Sequence, residues 1–393
     1  MREFGVSPTN SLNERVPLYI SDKRELAAFC ERASGSKVLA VDTEFIREKT
    51  FYPRLCLIQV ATEEESAAVD PILIQNLSSL RTLLEDPGIT KVFHACSQDL
   101  EVILQAMGCV PTPVFDTQVA AAFLGYRQQI GYGALVEQCC GVRLPKAESL
   151  TDWSRRPLDA EQLKYAEDDV IYLPRIYHQM MDELREKDRL WWVEPEMAEV
   201  TSREHFSRPP EQAYLHLKRS GSLTRKQLAV AREVSAWRDV TAAERNIPRK
   251  WVVSDEVIVE CCKRVPKSVD RLRRIRGTEQ LADRDARGIV EAVRKGEACP
   301  PEDYPESKRK DRPSAEARSV ADLMYAMLRI ISEKSGVATQ VIATRDDLLD
   351  VAAGRPGSRL MKSWRYEIAG RQLEALLSGK VGLTVKDGRV EVL

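Results

Sequence analysis

Short apolar runs at residues 38–42, 55–60, 67–70 and 91–94 alternate, over the first 110 residues, with longer stretches whose apolar positions recur every three or four residues. Runs this short, bounded by turn residues, predict buried strands, and the loop Thr62-Glu63-Glu64-Glu65-Ser66 lets the second and third pair as a hairpin. Residues 76–86 and 97–107 read as helices, the latter capped by Ser97 and stopped near Gly108. Together these predict a mixed-sheet α/β domain.

From Asp116 to about residue 200 the pattern is mostly helical. Asp159-x-x-Gln162 has the form of a capping box ahead of a helix carrying Tyr165 and Asp169, and Pro174 should bend or interrupt that helix. Residues 144–149 read as a loop, Trp191-Trp192 with Pro195 as a domain edge packing outward, and residues 207–210 as a linker. Residues 211–297 then form a compact helical unit, with Leu228, Ala231 and Val234 at helical spacing and turns at Asn246-Ile247-Pro248 and Gly277. A proline-rich, charged stretch at 298–315 is a second linker. The last unit opens with Val320, Leu323, Met327 and Ile331 on one helical stripe stopped by Gly336, and closes on Asp387-Gly388 between alternating residues, a hairpin signal.

At 393 residues the chain exceeds one ordinary domain. No apolar run reaches the roughly 20 residues of a membrane helix, and the start lacks the apolar core of a signal peptide, so the expectation is a cytoplasmic protein with no membrane partner. Nine irregularly spaced cysteines and four histidines fit neither a disulfide framework nor a zinc cluster, so any metal is expected on oxygen ligands. Charge is divided unevenly: residues 1–200 carry 21 Lys and Arg against 32 Asp and Glu, and residues 201–393 carry 38 against 28. An acidic first half suits a held metal, and a basic second half suits a phosphate backbone.

The acidic half contains a specific arrangement. Asp42 and Glu44 stand at i and i+2 of an extended segment and point the same way. Asp99 follows in Phe93-His94-Ala95-Cys96-Ser97-Gln98-Asp99, and Tyr165-x-x-x-Asp169 puts two more side chains on one helix face. Phosphodiester hydrolysis needs a hydroxide, relief of charge on phosphorus and help for the leaving oxygen. Two divalent ions held by several carboxylates supply all three. Asp42, Glu44, Asp99 and Asp169 form such a set, with Asp42 the candidate to bridge both ions. Tyr165, a phenol with pKa about 10, is unsuited as a base but suited to orient water. Each piece alone has a structural reading; their order and spacing tell in favour of the chemical one.

Residues from about 17 to 200 resemble the ribonuclease D family of DEDD-type 3′-to-5′ exonucleases, in the subclass with tyrosine in the last motif. The resembling segments are Val41-Asp42-Thr43-Glu44-Phe45, Tyr52-Pro53-Arg54-Leu55-Cys56-Leu57-Ile58-Gln59, His94-Ala95-Cys96-Ser97-Gln98-Asp99-Leu100-Glu101, Phe115-Asp116-Thr117-Gln118 and Tyr165-Ala166-Glu167-Asp168-Asp169. The resemblance implies an RNase H-like sheet, metal ligands at Asp42, Glu44, Asp99 and Asp169, two Mg²⁺ or Mn²⁺ ions, and a water-orienting Tyr165. It also implies release of nucleoside 5′-monophosphates from RNA 3′ ends, above all those of tRNA precursors. Asp168 is read as solvated. Phe45, His94 and Gln98 are candidate substrate contacts: Phe45 either stacks on the terminal base or packs beneath the sheet, and His94 either meets substrate or is a hydrogen-bonded structural residue.

The second unit resembles an HRDC domain through residues 228–238, Arg245-Asn246-Ile247-Pro248 and residues 272–277. Arg249, Lys250, Lys263, Arg264, Lys267, Arg271, Arg273 and Arg274 make it basic. The expected layout is an RNase H-like exonuclease domain at 1–206, an all-α HRDC domain at 211–297, the linker at 298–315 and a second, divergent all-α HRDC-like domain at 316–393, in a monomer. Three other readings stay open: a DNA 3′-to-5′ exonuclease, since metals touch only phosphate; a nucleic-acid-binding scaffold that has lost catalysis; and helical units that dock proteins rather than RNA.

Overall fold

The computed structural model describes residues 18–145, 151–202, 206, 209–306 and 313–393. The loop expected at 144–149 and the linkers expected at 207–210 and 298–315 lie partly outside the described residues, as does the chain's start. Two compact units emerge. Of the described residues, one takes those within 18–45, 55–202 and 313–393, and the other those within 46–54 and 206–306.

The first unit is built on a six-stranded sheet in the order β1-β4-β3-β2-β5-β6. Its strands are β1 (Leu18–Ile20), β2 (Val38–Ile46), β3 (Arg54–Ala61), β4 (Ser66–Val69), β5 (Thr90–Phe93) and β6 (Val114–Asp116). β3 and β4 form the expected antiparallel hairpin, while β1 runs parallel to β4, β5 to β2 and β6 to β5. Four strands match the apolar runs. The outermost two, of three residues each, carry too few positions to show a period, and tertiary pairing makes them strands.

β2 is central, which explains why Val38 to Val41 are all buried rather than alternating. It pairs with β5 only over Val38–Ala40, so Asp42 and Glu44 stand beyond the end of β5. Helices α1 (Lys23–Ala33), α2 (Ser78–Glu85), α3 (Ser97–Met107), α4 (Thr117–Leu124), α5 (Tyr132–Cys140), α6 (Ala160–Ile171), α7 (Leu173–Glu186) and α8 (Leu190–Thr201) complete this part. α6 has the Asp159–Gln162 capping box, and the break before α7 falls at Tyr172, leaving Pro174 in the first turn, where its missing N–H costs nothing.

Two local expectations are corrected. Ser97 does not cap α3: the cap position is Cys96, with no side-chain cap bond, and the carboxylate of Asp116 in β6 accepts the N–H groups of Ala95 and Cys96 just ahead of the helix. Nor do both tryptophans at the start of α8 face outward. Trp191 is 40% exposed, but Trp192 stacks on Trp364, whose ring also meets Phe123 edge to face at 4.9 Å. On the same helix Glu196 accepts two bonds from Arg365 (2.6 and 2.9 Å) and one from the Trp364 indole (3.0 Å), and so the C-terminal segment packs into the first unit. That segment begins with a helix, Ala315–Ser335, closed by left-handed Gly336; Met327 and Ile331 are buried as expected, but Leu323 is 47% exposed and Met324 takes its place inside. It ends in the hairpin Leu383–Lys386 with Arg389–Val392.

The second unit is helical around the 21-residue helix Arg225–Arg245, which carries its own capping box and ends at left-handed Asn246. Leu228, Ala231, Val234, Ile258, Leu272 and Ile289 lie in its core. The nine cysteines are all free, six of them buried.

Candidate active site

Alternation along β2 sends Asp42 and Glu44 to one face, and the i, i+4 spacing on α6 brings Asp169 to meet them. Carboxylate oxygens of Asp42, Glu44 and Asp169 all lie within 4.8 Å of one another. Asp99, in the first turn of α3, is buried near enough for its charge to act on Asp42, and accepts a 2.5 Å hydrogen bond from the hydroxyl of Thr43.

Burial and mutual repulsion dominate the electrostatics. Asp42 is pushed well above the usual carboxylate range by burial and then by Asp99, Asp169 and Glu44. Glu44 rises to about 8 by burial, with Asp169 and Asp99 adding to it. Asp169 rises to about 7, again by burial first, against the hydrogen bond donated by Tyr165. Asp99 rises to about 6 because burial outweighs the Thr43 bond. Convergent carboxylates that hold one another in the protonated range are a donor set short of positive charge, and a hard divalent cation is the partner that oxygen ligands of this kind favour. The donor set thus fits such an ion.

Tyr165 donates to Asp169, and burial followed by the charges of Asp169 and Glu44 keeps its phenol protonated. Its ring lies 5.9 Å from that of buried Trp153. Phe45 is half-buried at the end of β2, and Gln98 is exposed on α3. His94 has both ring nitrogens engaged, Nε2 with the Ile130 carbonyl and Nδ1 with the Thr117 hydroxyl, each at 2.9 Å. A carbonyl only accepts, so Nε2 carries the proton, and burial favours the neutral ring despite nearby Asp116. Asp168 is not solvated: it is 7% exposed and paired with Lys164 at 2.9 Å.

Three contributors had no assigned role in the sequence. Thr43 orients Asp99. Asp116 accepts the N–H groups of Ala95 (3.0 Å), Cys96 (2.9 Å), Gln118 (2.8 Å) and Val119 (3.3 Å), and so anchors the starts of α3 and α4 together; Ala95 is held at φ 60°. Tyr132 donates to the carbonyl of Asp168 at 2.9 Å, tying α5 to α6. Asp116 stands in the Phe115-Asp116-Thr117-Gln118 segment, so a signal existed, but its four partners come from two chain segments.

Of the eight basic residues picked out in the helical unit, Arg249, Lys263, Arg264, Lys267 and Arg273 lie in ion pairs with carboxylates. Among the described residues Lys250, Arg271 and Arg274 form none. No described helix is long and apolar enough to cross a membrane.

A mixed sheet with convergent acids, joined to a helical unit, defines a 3′-to-5′ exonuclease carrying an HRDC domain: the 3′-5′ exonuclease family model matches residues 17–185, and the HRDC domain model matches residues 227–293. Among relatives, ribonuclease D of Sphingobium indicum is 38% identical over 384 residues, covering 95% of this chain and 97% of its own. Ribonuclease D of Jannaschia sp. is 39% identical over 391 residues, covering 96% and 100%. The crystal structure of Escherichia coli RNase D, described as an exoribonuclease involved in structured RNA processing, superposes with a TM-score of 0.81 at 31% identity, over 92% of this chain and 99% of that one. The chain therefore belongs to the ribonuclease D family and is a 3′-to-5′ exoribonuclease.

Proposed function

We propose that this enzyme shortens RNA one nucleotide at a time, releasing nucleoside 5′-monophosphates, with tRNA precursors and other structured RNAs as substrates. The observation that carries the mechanism is the convergence of Asp42, Glu44 and Asp169 within 4.8 Å beside buried Asp99. These four would hold two Mg²⁺ or Mn²⁺ ions, whose chemistry when bound is to acidify a water and neutralise charge on the phosphate. Thr43 holds the Asp99 carboxylate through its hydroxyl, and Lys164 pairs with Asp168. Tyr165 stays a phenol and presents its oxygen one helical turn from Asp169, where it orients the attacking water. Phe45 and Gln98 are the contacts we assign to the terminal nucleotide, and His94 acts from behind by fixing the segment that leads into α3.

Residues 316–393 are read as a further, divergent HRDC-like arm. Phosphate contacts in the helical unit are assigned to Lys250, Arg271 and Arg274, and predict RNA affinity that falls steeply with salt.

The test is digestion of a 3′-extended tRNA and of matched RNA and DNA oligonucleotides by wild type and Asp42→Asn. Stepwise loss from the RNA 3′ end, abolished by the substitution and by EDTA, is expected. Internal cuts, equal digestion of DNA, or near-normal activity of the folded variant would each overturn the corresponding part of the reading.

A further inference from the structure

Arg156 takes no part in the carboxylate cluster, yet all five N–H groups of its guanidinium are engaged. Nε donates to Oδ2 of Asp70, and Nη2 donates to Oδ1 of Asp70 at 2.9 Å and to the carbonyl of Cys56 at 2.6 Å. Nη1 turns back on its own segment, donating to the carbonyls of Trp153 at 2.8 Å and Arg155 at 2.6 Å. Asp70, fully buried, also accepts the Tyr19 hydroxyl and the N–H groups of Ile72 (2.9 Å) and Leu73 (3.3 Å). Burial alone would raise this carboxyl; the bonds from Arg156 and Tyr19 bring it below its ordinary value, so it meets Arg156 as a carboxylate. All of these residues lie in the first unit.

The local sequence explains the arrangement. Residues 151–158 form neither helix nor strand, and Asp152 closes a turn among them by accepting the Ser154 N–H (3.1 Å) and hydroxyl (2.6 Å). Cys56 lies in β3 and Asp70 directly follows β4, so one guanidinium ties this turn to the β3–β4 hairpin. Arg carries five donors in a fixed planar fork; Lys, with three on one nitrogen, cannot serve four separate acceptor groups. The same hairpin holds α6, because buried Glu167 accepts the hydroxyl of Ser66, the first residue of β4, at 3.0 Å. Trp153 and Tyr165 are thus fastened to one hairpin from two chain segments. Their rings meet at 5.9 Å with 39° between the planes, within the range of a favourable aromatic pair.

We propose that Arg156 is a positioning residue for the exonuclease reaction: it holds Trp153 in place, and the Trp153 ring sets the orientation of Tyr165. The bond to Asp169 holds the phenol at its oxygen, and a buried indole beside the ring restricts its swing about that point. Orienting a water for in-line attack is sensitive to such displacement. The inference rests on reading Tyr165 as the phenol that orients water.

The test uses the full chain in two variants that break different links. Arg156→Lys removes the hold and keeps the ring, whereas Trp153→Leu removes the ring and keeps the hold, because the bond from Arg156 goes to the main chain of residue 153. Each should lower kcat about two- to ten-fold with KM kept, the worth of one aromatic contact. The double variant should be no worse than Trp153→Leu, and neither substitution should lower further the residual rate of Tyr165→Phe, which has no hydroxyl left to orient. Without substrate, fluorine NMR of protein labelled with fluorotryptophan reports the hold. The Trp153 line, identified by its loss in Trp153→Leu, should shift and broaden in Arg156→Lys. Should Arg156→Lys fail to fold, kcat of Trp153→Leu, alone and with Tyr165→Phe, decides. An unmoved Trp153 line, wild-type kcat in Trp153→Leu, or losses that multiply in the Tyr165→Phe background would overturn the proposal. Wild-type kcat in Tyr165→Phe would overturn the reading of Tyr165 itself and the proposal with it, a failure told apart from the others by that single variant.

Discussion

Replacing Asp169 with asparagine should make the metal-free protein more stable while destroying its activity. In the folded chain this carboxyl titrates near 7, raised by burial above all and then by the charges of Asp168 and Asp99, against an ordinary value of 3.8. Between those values the native state binds more protons than the unfolded chain, so this group's contribution to stability falls as pH rises from about 4 to about 7. A shift of roughly three units corresponds to about 4 kcal/mol once the group is fully ionised. Because Asp42, Glu44 and Asp99 share the repulsion, a single substitution should recover less, on the order of 2 kcal/mol. Asparagine keeps an oxygen to accept the Tyr165 hydroxyl and removes only the charge. For a unit of this size the gain corresponds to about 4–8 °C in Tm. Thermal unfolding in EDTA at pH 8 should show Asp169→Asn melting above wild type by that margin. At pH 4.5, where the native carboxyl is protonated and only the unfolded one still ionises, most of the difference should vanish. Mg²⁺ should then stabilise wild type more than the variant. A variant that melts below wild type in EDTA at pH 8, or a gain equal at both pH values, would refute the electrostatic account of the site.

Thr43→Val removes the hydroxyl that lowers the Asp99 pKa, so Asp99 should titrate above its present value of about 6. The acidic limb of the kcat/KM profile should move to higher pH, with about two-fold less activity at pH 6.5 and about five-fold less near pH 5, for the loss of roughly 1 kcal/mol of hydrogen bonding. With the water-orienting role proposed for the phenol and the ion-holding role proposed for the carboxylates, Tyr165→Phe should cut kcat roughly 100-fold while Mn²⁺ binding, followed by calorimetry, stays near wild type. Glu196→Ala leaves the Arg365 guanidinium and the Trp364 indole, both largely buried, without their shared partner. Breaking a buried pair from one side costs about 3–5 kcal/mol, which a urea midpoint would register; Glu196→Gln should cost less.

The local parts of the site were legible because they obey short-range periods. Asp42 and Glu44 needed only the two-residue repeat of a strand, and Tyr165 and Asp169 only the turn of a helix whose capping box was also visible. The separation of an α/β part from a helical part was equally readable from apolar spacing. Misreadings arose where a residue's partner is far away in the chain or where packing overrode a local pattern. Asp168 looked solvated beside Asp169, but Lys164 and the packing of α6 bury it. Trp192 looked outward because its partner, Trp364, stands near the other end of the chain. His94 offered a choice of roles that Ile130 and Thr117 narrow by engaging both nitrogens.

The sequence alone therefore determined which residue types converge and on which local faces, since alternation and helical spacing are properties of the backbone that no packing can change. Only the tertiary structure decided how near they come and in what protonation state. Thr43 reaches Asp99 across 56 positions, Asp116 gathers amides from two chain segments, and the N–H of Tyr52 finds Asn246 almost two hundred residues on. Such contacts depend on burial and on distances in space, and a linear pattern carries neither.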